Sequence, residues 1–535
     1  FLCVERHFGD LFEGEDKLSG ESRNLVFTGE DPDPDTLENL AIMGFERTAD
    51  MWNIIRTWHF GRYRALQSSK AREQLTSMLP QLLESFAKSG RGDDTILRFD
   101  ALLSGLPTGV QLFSMLNSNR DLLHLLTRIL SSAPRLAEII TKRPLVFDGM
   151  LDPLFFERLP NSDELEARLD TFLSEANSYE DFLDRLRIFA AEQRFLAGVR
   201  LLTNNIDAEL FGRALSQLAD MLLERALNAA VTEIVQKHGH IPDGRHCLVA
   251  MGRLGSCEMT AGSDVDLLLI YDADNLVESD GPKPLAASQY YARITQRLIA
   301  ALSAPTAEGV LYEVDFRLRP SGNKGPLATS IKSFSKYQRE EAWTWEQMAL
   351  TRARTVCGDP SLRKQVEDER IAILDMPRDI DKTRTDMADM RQRLAKEKPA
   401  QSVWDLKKAI GGITDIEFMA QFWALTALPK FNPKLPNRKL YPRSAGHILS
   451  LLDEEILSAD DRELLIKALD EVTLVNHLIR LCVAEQFDPA TATSGLMEQL
   501  CAALNLPDIA TLEAHLAEQQ QSVAEIFSRI IASRK

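Results

Sequence analysis

The chain has 535 residues, of which 44% are hydrophobic and 26% charged, and a formal net charge of −17. That length exceeds what one hydrophobic core supports, so about three domains are expected; the acidic balance disfavours a nucleic-acid partner, although a local basic groove is compatible with it. Apolar runs fall short of the ~20 residues that span a bilayer, and six dispersed cysteines without a CxxC pair argue against a disulfide framework or zinc cage, so a cytoplasmic protein with reduced thiols and no membrane partner is expected. No signal-peptide pattern follows Phe1, and a chain that starts on Phe reads as a fragment of a longer polypeptide.

Residues 1–50 hold 13 Asp/Glu against four Lys/Arg and include Thr28-Gly-Glu-Asp-Pro-Asp-Pro-Asp35, which predicts an acidic linker over 1–36. Apolar residues then recur at helical spacing, with Leu122, Leu125, Leu126 and Ile129 along one face. Long helices are predicted at about Tyr179–Leu202 and Glu209–His238. Three strand-length apolar runs follow: Cys247–Met251, Asp266–Tyr271 and Gly309–Leu318. A helix carrying Tyr291, Ile294, Leu298 and Leu302 on one face separates the second from the third. Helical spacing returns after Met376-Pro377, and Thr414 with Glu417 predicts a capping-box start behind Gly411-Gly412. The Pro- and Lys-rich stretch 429–442 reads as a loop.

The chemistry concentrates in Gly252-Arg-Leu-Gly-Ser-Cys-Glu-Met-Thr-Ala-Gly-Ser-Asp-Val-Asp266 and the strand it opens. Backbone N–H groups at a turn containing Gly255 and Ser256 can converge on an anion, and the Ser256 hydroxyl adds a donor. Ser263 then precedes Asp264 and Asp266, whose side chains, two apart at a strand start, point the same way. Two ionised acids so close repel unless a cation lies between them, and a hard ion such as Mg²⁺, held by carboxylates and substrate phosphates, meets that need. On the third predicted strand Leu311, Glu313, Asp315 and Arg317 share one face, so Asp315 completes a three-carboxylate cradle for two metal ions. Arg317 and Arg319 offer charge to phosphates. A lone Gly-Ser turn or Asp-x-Asp is usually only a turn or a strand end; their combination with the later acidic strand is far more specific.

This combination resembles the nucleotidyltransferase superfamily with a DNA polymerase beta-like palm, and within it the bacterial glutamine synthetase adenylyltransferases. Supporting stretches are Gly309-Val-Leu-Tyr-Glu-Val-Asp-Phe-Arg-Leu-Arg-Pro-Ser-Gly322, Glu341-Ala-Trp-Thr-Trp-Glu346, Thr351-Arg-Ala-Arg354 and Gly411-Gly-Ile-Thr-Asp-Ile-Glu-Phe418. Arg-Pro-Ser-Gly at 319–322 is similar to the C-terminal, adenylylating half of that family rather than the adenylyl-removing half; Arg253 departs from the usual lysine. The resemblance implies transfer of AMP from ATP to a tyrosine hydroxyl of glutamine synthetase with loss of pyrophosphate. Asp264 and Asp266 would hold two Mg²⁺ (or Mn²⁺) ions, and Asp315 would ligate the catalytic one and accept the tyrosyl proton. Gly255 and Ser256 would cradle the triphosphate, and Lys407 would reach its distal end. A PII-type signal protein and glutamine are the implied effectors. Rival readings are the phosphorolytic half, a non-catalytic nucleotide-binding module and, more distantly, a nucleic-acid polymerase.

The fold expected is α+β: a palm with a small mixed sheet, flanked by N-terminal helices and a C-terminal helical bundle. The segments are a linker at 1–36, a helical region at 37–178, a catalytic domain at 179–370 and a helical, regulatory-type domain at 375–535. Other features invite blander readings. Lys237-His-Gly-His240 is expected as a polar loop, His477 as a core histidine, and Arg352 and Arg354 as structural ion pairs. Trp343 and Trp345 are expected in core or domain-interface packing, and Lys430–Arg443 as a solvated basic loop.

Overall fold

The computed structural model describes residues 25–532, except 151–154, 156–157, 275, 428–442 and 484–485. The acidic segment is thus described only from residue 25, and the basic loop only at Arg443. The chain falls into two compact units, each assembled from discontinuous stretches. The first comprises Phe1–Pro160, Arg194–Ile206 and His477–Leu512; the second comprises Asn161–Gln193, Asp207–Asn476 and Glu513–Lys535.

In the first unit the helix Pro34–Met43 starts inside the segment expected as linker. Asp33 accepts from the Thr36 amide at 2.9 Å, and Pro34 suits a first helical turn because its missing N–H would lack an intrahelical partner anyway. The two residue types that suggested a loop are here a cap and a first turn. Leu122, Leu125, Leu126 and Ile129 are buried along the helix Arg120–Ser132, as their spacing predicts. Aromatic packing centres on Phe99, which meets Trp58 and Phe86 edge to face at 5.5 Å each. The Trp58 indole donates to Asp100 at 2.8 Å, so burying it leaves its N–H satisfied.

The second unit holds the sheet. Its strands are β1 (Arg245–Met251), β2 (Val265–Asp272), β3 (Val314–Asp315), β4 (Ala328–Ser330) and β5 (Arg354–Gly358), in the order β3-β2-β1-β5, with β4 also paired to β2. β1 is antiparallel to β2 and β5, whereas β3 and β4 run parallel to β2. Cys247–Met251 and Leu267–Tyr271 are buried as continuous runs, because both faces of these central strands are covered. The helix Ala287–Ser303 turns Tyr291, Ile294, Leu298 and Leu302 inward, and Tyr291 stacks on Tyr271 of β2 at 4.5 Å. The central hairpin is therefore anchored along its length, which fixes where β2 begins.

Two expectations fail locally. The third strand, predicted over ten residues, is two residues long. Before it, the amides of Leu311 and Tyr312 both donate to the Leu302 carbonyl. After it, the Arg317 amide donates to the Asp315 carboxylate at 2.7 Å and the chain turns. A side chain that offers its own backbone a partner competes with the strand ladder. The capping box at Thr414/Glu417 does not form either. Gly412 caps the helix Ile413–Thr426, the Thr414 hydroxyl donates to the Lys407 carbonyl at 2.6 Å, and Glu417 pairs with Arg352.

The turn ahead of that helix is fixed by a buried ion pair. Arg391 is 7% exposed and Asp415 2%; the guanidinium donates to Asp415 and to the carbonyls of Lys408 and Ala409, while Asp415 accepts the Gly411 amide at 2.5 Å. Replacing Arg391 by Met strands a buried carboxylate. Arg391→Met is expected to lower unfolding free energy by about 3–5 kcal/mol; a change below about 1 kcal/mol in urea denaturation would show that the pair does not hold this turn.

Candidate functional site

The site is built where β1 ends and β2 begins. Met251 lies opposite Asp266 across the antiparallel pair, so the turn after β1 starts beside this acid. Gly252 has φ +55°, and a Cβ there would sit 2.1 Å from Asp266 Oδ2. Glycine is required twice over, for its backbone conformation and for the room it leaves the carboxylate. Gly255 is constrained by packing, since a Cβ would lie 1.9 Å from the Arg352 carbonyl oxygen. The Ser256 amide donates to the Gly252 carbonyl at 3.2 Å. Its hydroxyl accepts from Arg352 Nη2 at 2.8 Å and Nε at 3.1 Å.

β3 pairs with β2 in parallel, in a register that sets Asp266 beside Asp315. Registered neighbours on adjacent strands lie about 4.8 Å apart and project to one face, so these two carboxyls are side by side. Asp264 is exposed one residue ahead of β2. The three acids also act on one another through their charges. Burial, reinforced by Asp315 and then Asp264, pushes the Asp266 carboxyl from 3.8 up to about 6. Arg317 is the cation among them: its side chain donates to Asp315 Oδ2 at 2.8 and 2.5 Å. Its pKa is raised by that hydrogen bond, then by the charge of Asp315, and less by those of Asp266 and Asp264. At Asp315 partial burial pushes the carboxyl up, but the Arg317 bonds and charge outweigh it and hold it below the usual range.

The remaining residues singled out in the sequence fall in two groups. Lys407 is exposed, and its charge acts on Asp266 and on Glu417. Ser263 and Arg319 are occupied locally: the Ser263 hydroxyl meets the Thr260 hydroxyl at 2.6 Å and accepts the Thr260 amide at 3.1 Å, while Arg319, 8% exposed, donates to the carbonyls of Phe316 at 2.7 Å and Gly325 at 3.2 Å. Arg354 forms a two-pronged pair with Asp220 at 2.7 and 3.0 Å. Buried His238 meets the Lys283 carbonyl at 2.6 Å, so the His238/His240 loop is polar architecture. His477 is buried. Trp343, by contrast, is 71% exposed instead of packed in a core.

Sequence reasoning missed the set behind the turn. Arg352 donates to Glu258 and Glu417 at 2.9 Å each, as well as to Ser256. Nothing in the local spacing links positions 256, 352 and 417; only the fold does. Among the described residues no three His, Cys, Asp or Glu side chains are already arranged as a metal cage. The donor types nevertheless suit a hard divalent cation: Asp266 and Asp315 stand side by side, Asp264 acts on Asp266 through its charge, and Arg317 brings positive charge to the same acids.

Residues 123–369 match the family model described as glutamate-ammonia ligase adenylyltransferase, and residues 382–531 match that described as GlnD PII-uridylyltransferase. The chain is 52% identical over 535 residues to the bifunctional glutamine synthetase adenylyltransferase/adenylyl-removing enzyme of Rhizobium meliloti (strain 1021), covering 99% of this chain and 53% of the relative. It is 52% identical over 530 residues to the protein of the same name from Agrobacterium fabrum, with the same coverage, and 39% identical over 532 residues to that from Rhodopseudomonas palustris (strain BisB5). The chain thus spans about half the length of the curated relatives it matches.

The Asp266 shift has a measurable sign. Between 3.8 and about 6 the folded chain keeps a proton that the unfolded chain releases, so this group's contribution to stability falls as pH rises and its penalty is complete above about pH 6. In metal-free buffer Asp266→Asn is expected to be more stable than the parent at pH 7.5, on the order of 2 kcal/mol, with the gain vanishing below about pH 4. A variant less stable than the parent at pH 7.5 would contradict the crowding of acids at this site.

Proposed function

We propose that this chain transfers AMP from ATP to a tyrosine hydroxyl of glutamine synthetase, as the adenylylating half of a two-part enzyme. The observation that carries the reading is the register of Asp266 against Asp315, with Asp264 close enough to act on both the Asp266 carboxyl and the Arg317 guanidinium. In this reading the small mixed sheet is a DNA polymerase beta-like palm, 179–370 is the catalytic domain and 375–535 a helical regulatory-type region. The similarity of 382–531 to a PII-uridylyltransferase model supports a PII-type signal protein as an effector of that region, and glutamine is the second effector in this reading. A cytoplasmic location fits such a substrate, and among the described residues no helix is long and apolar enough to cross a membrane.

Asp264, Asp266 and Asp315 would hold two Mg²⁺ or Mn²⁺ ions, which when bound polarise the phosphoryl oxygens and stabilise the departing pyrophosphate. The chain's own side chains do the rest. A phenol with pKa about 10 is mostly protonated at neutral pH, so it needs a base as its oxygen bonds the α-phosphorus. Asp315 takes that proton once Arg317 leaves it for a phosphate oxygen, and the bond from the α-phosphorus to the bridging oxygen breaks. Lys407 and Arg317 balance charge on the phosphates, while Gly255 and Ser256 shape the turn against which the triphosphate lies.

The relatives' name covers both attachment and removal of AMP, so the phosphorolytic half is the competing reading; Arg319-Pro-Ser-Gly322 favours attachment. With α-labelled ATP and purified glutamine synthetase, label is expected on the protein substrate and Asp266→Asn to slow the transfer by about 10²–10³-fold or more. Release of ADP from AMP-modified glutamine synthetase by inorganic phosphate, without transfer from ATP, would overturn the assignment.

A further inference from the structure

Behind the nucleotide turn lies a charged cluster of Arg352, Glu258 and Glu417, none of which the proposed chemistry uses. Arg352 spans it. One edge of its guanidinium reaches Ser256 Oγ at 2.8 and 3.1 Å and Glu258 at 2.9 Å, and Nη1 reaches Glu417 Oε1 at 2.9 Å. The Arg352 and Glu417 side chains are 10% and 15% exposed, so water cannot easily replace either partner. Glu417 belongs to the helix Ile413–Thr426, whose N-cap is Gly412, so its carboxylate takes no part in capping and is left to pair with Arg352. Three cations act on this single acid: Arg352, Arg253 of the nucleotide turn, and Lys407. Lys407 and Arg352 act in turn on Asp266. The cluster also joins two regions of separate resemblance, since Arg352 lies within 123–369 and Glu417 and Lys407 within 382–531.

We propose that Glu417 is a positioning residue of the nucleotide site, which holds Arg352 against Ser256 and balances Arg253 and Lys407, so that the helix Ile413–Thr426 sets the cationic wall facing the triphosphate. This rests on the nucleotide-transfer reading above. Physically, a planar fork with several donors can tie two acids and a hydroxyl at fixed angles, and removal of one acid leaves a buried guanidinium underbalanced. Arg352 then relaxes toward Glu258, the Ser256 turn loses its brace, and Arg253 and Lys407 lose the carboxylate on which both charges act. The wall is set by charge as well as by shape, so an uncharged isostere fails.

The test is calorimetric titration of the full 535-residue chain with MgATP, without protein substrate, alongside melting of the nucleotide-free chain. Glu417→Gln and Arg352→Lys are each expected to raise Kd for MgATP at least tenfold. The double variant is expected to be no weaker than the poorer single variant, because both act through one pair. Should Glu417→Gln lose its melting transition, Arg352→Lys, which keeps the cation and loses the fork, carries the test. Unchanged Kd with a lowered melting temperature, or losses that multiply in the double variant, overturns the positioning role. A parent that binds no MgATP overturns the nucleotide reading itself, whereas a parent that binds beside unaffected variants overturns this inference alone.

Discussion

Like charges held together in a partly dry place need an opposite charge. Asp266 stands beside Asp315 because β2 and β3 pair in parallel at that one step, and Asp264 adds a third acid at the mouth of the strand. The arrangement costs stability in the folded chain, since Asp266 alone is pushed to about 6. It persists because its supports are stiff: Leu267–Tyr271 of β2 are buried, and β2 pairs with β1 from Asp266 to Asp272. The features around it read as answers to that negative charge. Arg317 sits on Asp315, Lys407 acts from the turn ahead of the helix Ile413–Thr426, and Gly252 leaves space that any larger side chain would take from the Asp266 carboxylate.

The same logic places the helical residues in the site. A sheet of five short strands offers few positions for cations, and its second shell of charge comes from outside it. Arg352 follows the helix Thr344–Thr351 and meets an acid from the turn after β1 and another from the helix Ile413–Thr426. Arg391 and Asp415, buried together, fix the backbone from Lys408 to Gly411 that carries Lys407 beside it. A buried, fully bonded ion pair holds this backbone, and so the base of the Lys407 side chain, in a constant place.

Much of this was legible in the residues, and the limits have physical causes. The runs Cys247–Met251 and Asp266–Tyr271 read as strands because β-rich apolar stretches bounded by Gly and Ser have few alternatives. The grouping of Asp264 and Asp266 with Asp315 was expected from strand periodicity and a family resemblance; the register sets Asp266 beside Asp315, while Asp264 lies one residue ahead of β2, where strand alternation does not apply. The extent of β3 did not, because Asp315 accepts the Arg317 amide and ends the ladder, a bond invisible to alternation. Thr414 and Glu417 have capping-box spacing, yet both side chains find partners that only the folded chain supplies. Arg319 looked like a phosphate contact beside Arg317, but it turns back to the carbonyls of Phe316 and Gly325. Short-range pattern pointed to the acids; long-range pairing decided which charges stand beside them.

The claim that three acids gather around divalent ions is tested most directly by crystals grown with Mn²⁺ and a non-hydrolysable ATP analogue, measured at the manganese absorption edge. The expected result is anomalous density within about 2.0–2.6 Å of Asp266 and Asp315 oxygens, in contact with the analogue's phosphates and with Arg317 drawn off Asp315. Manganese bound elsewhere, with Arg317 still seated on Asp315 and nucleotide absent from the turn at Gly255 and Ser256, would contradict it.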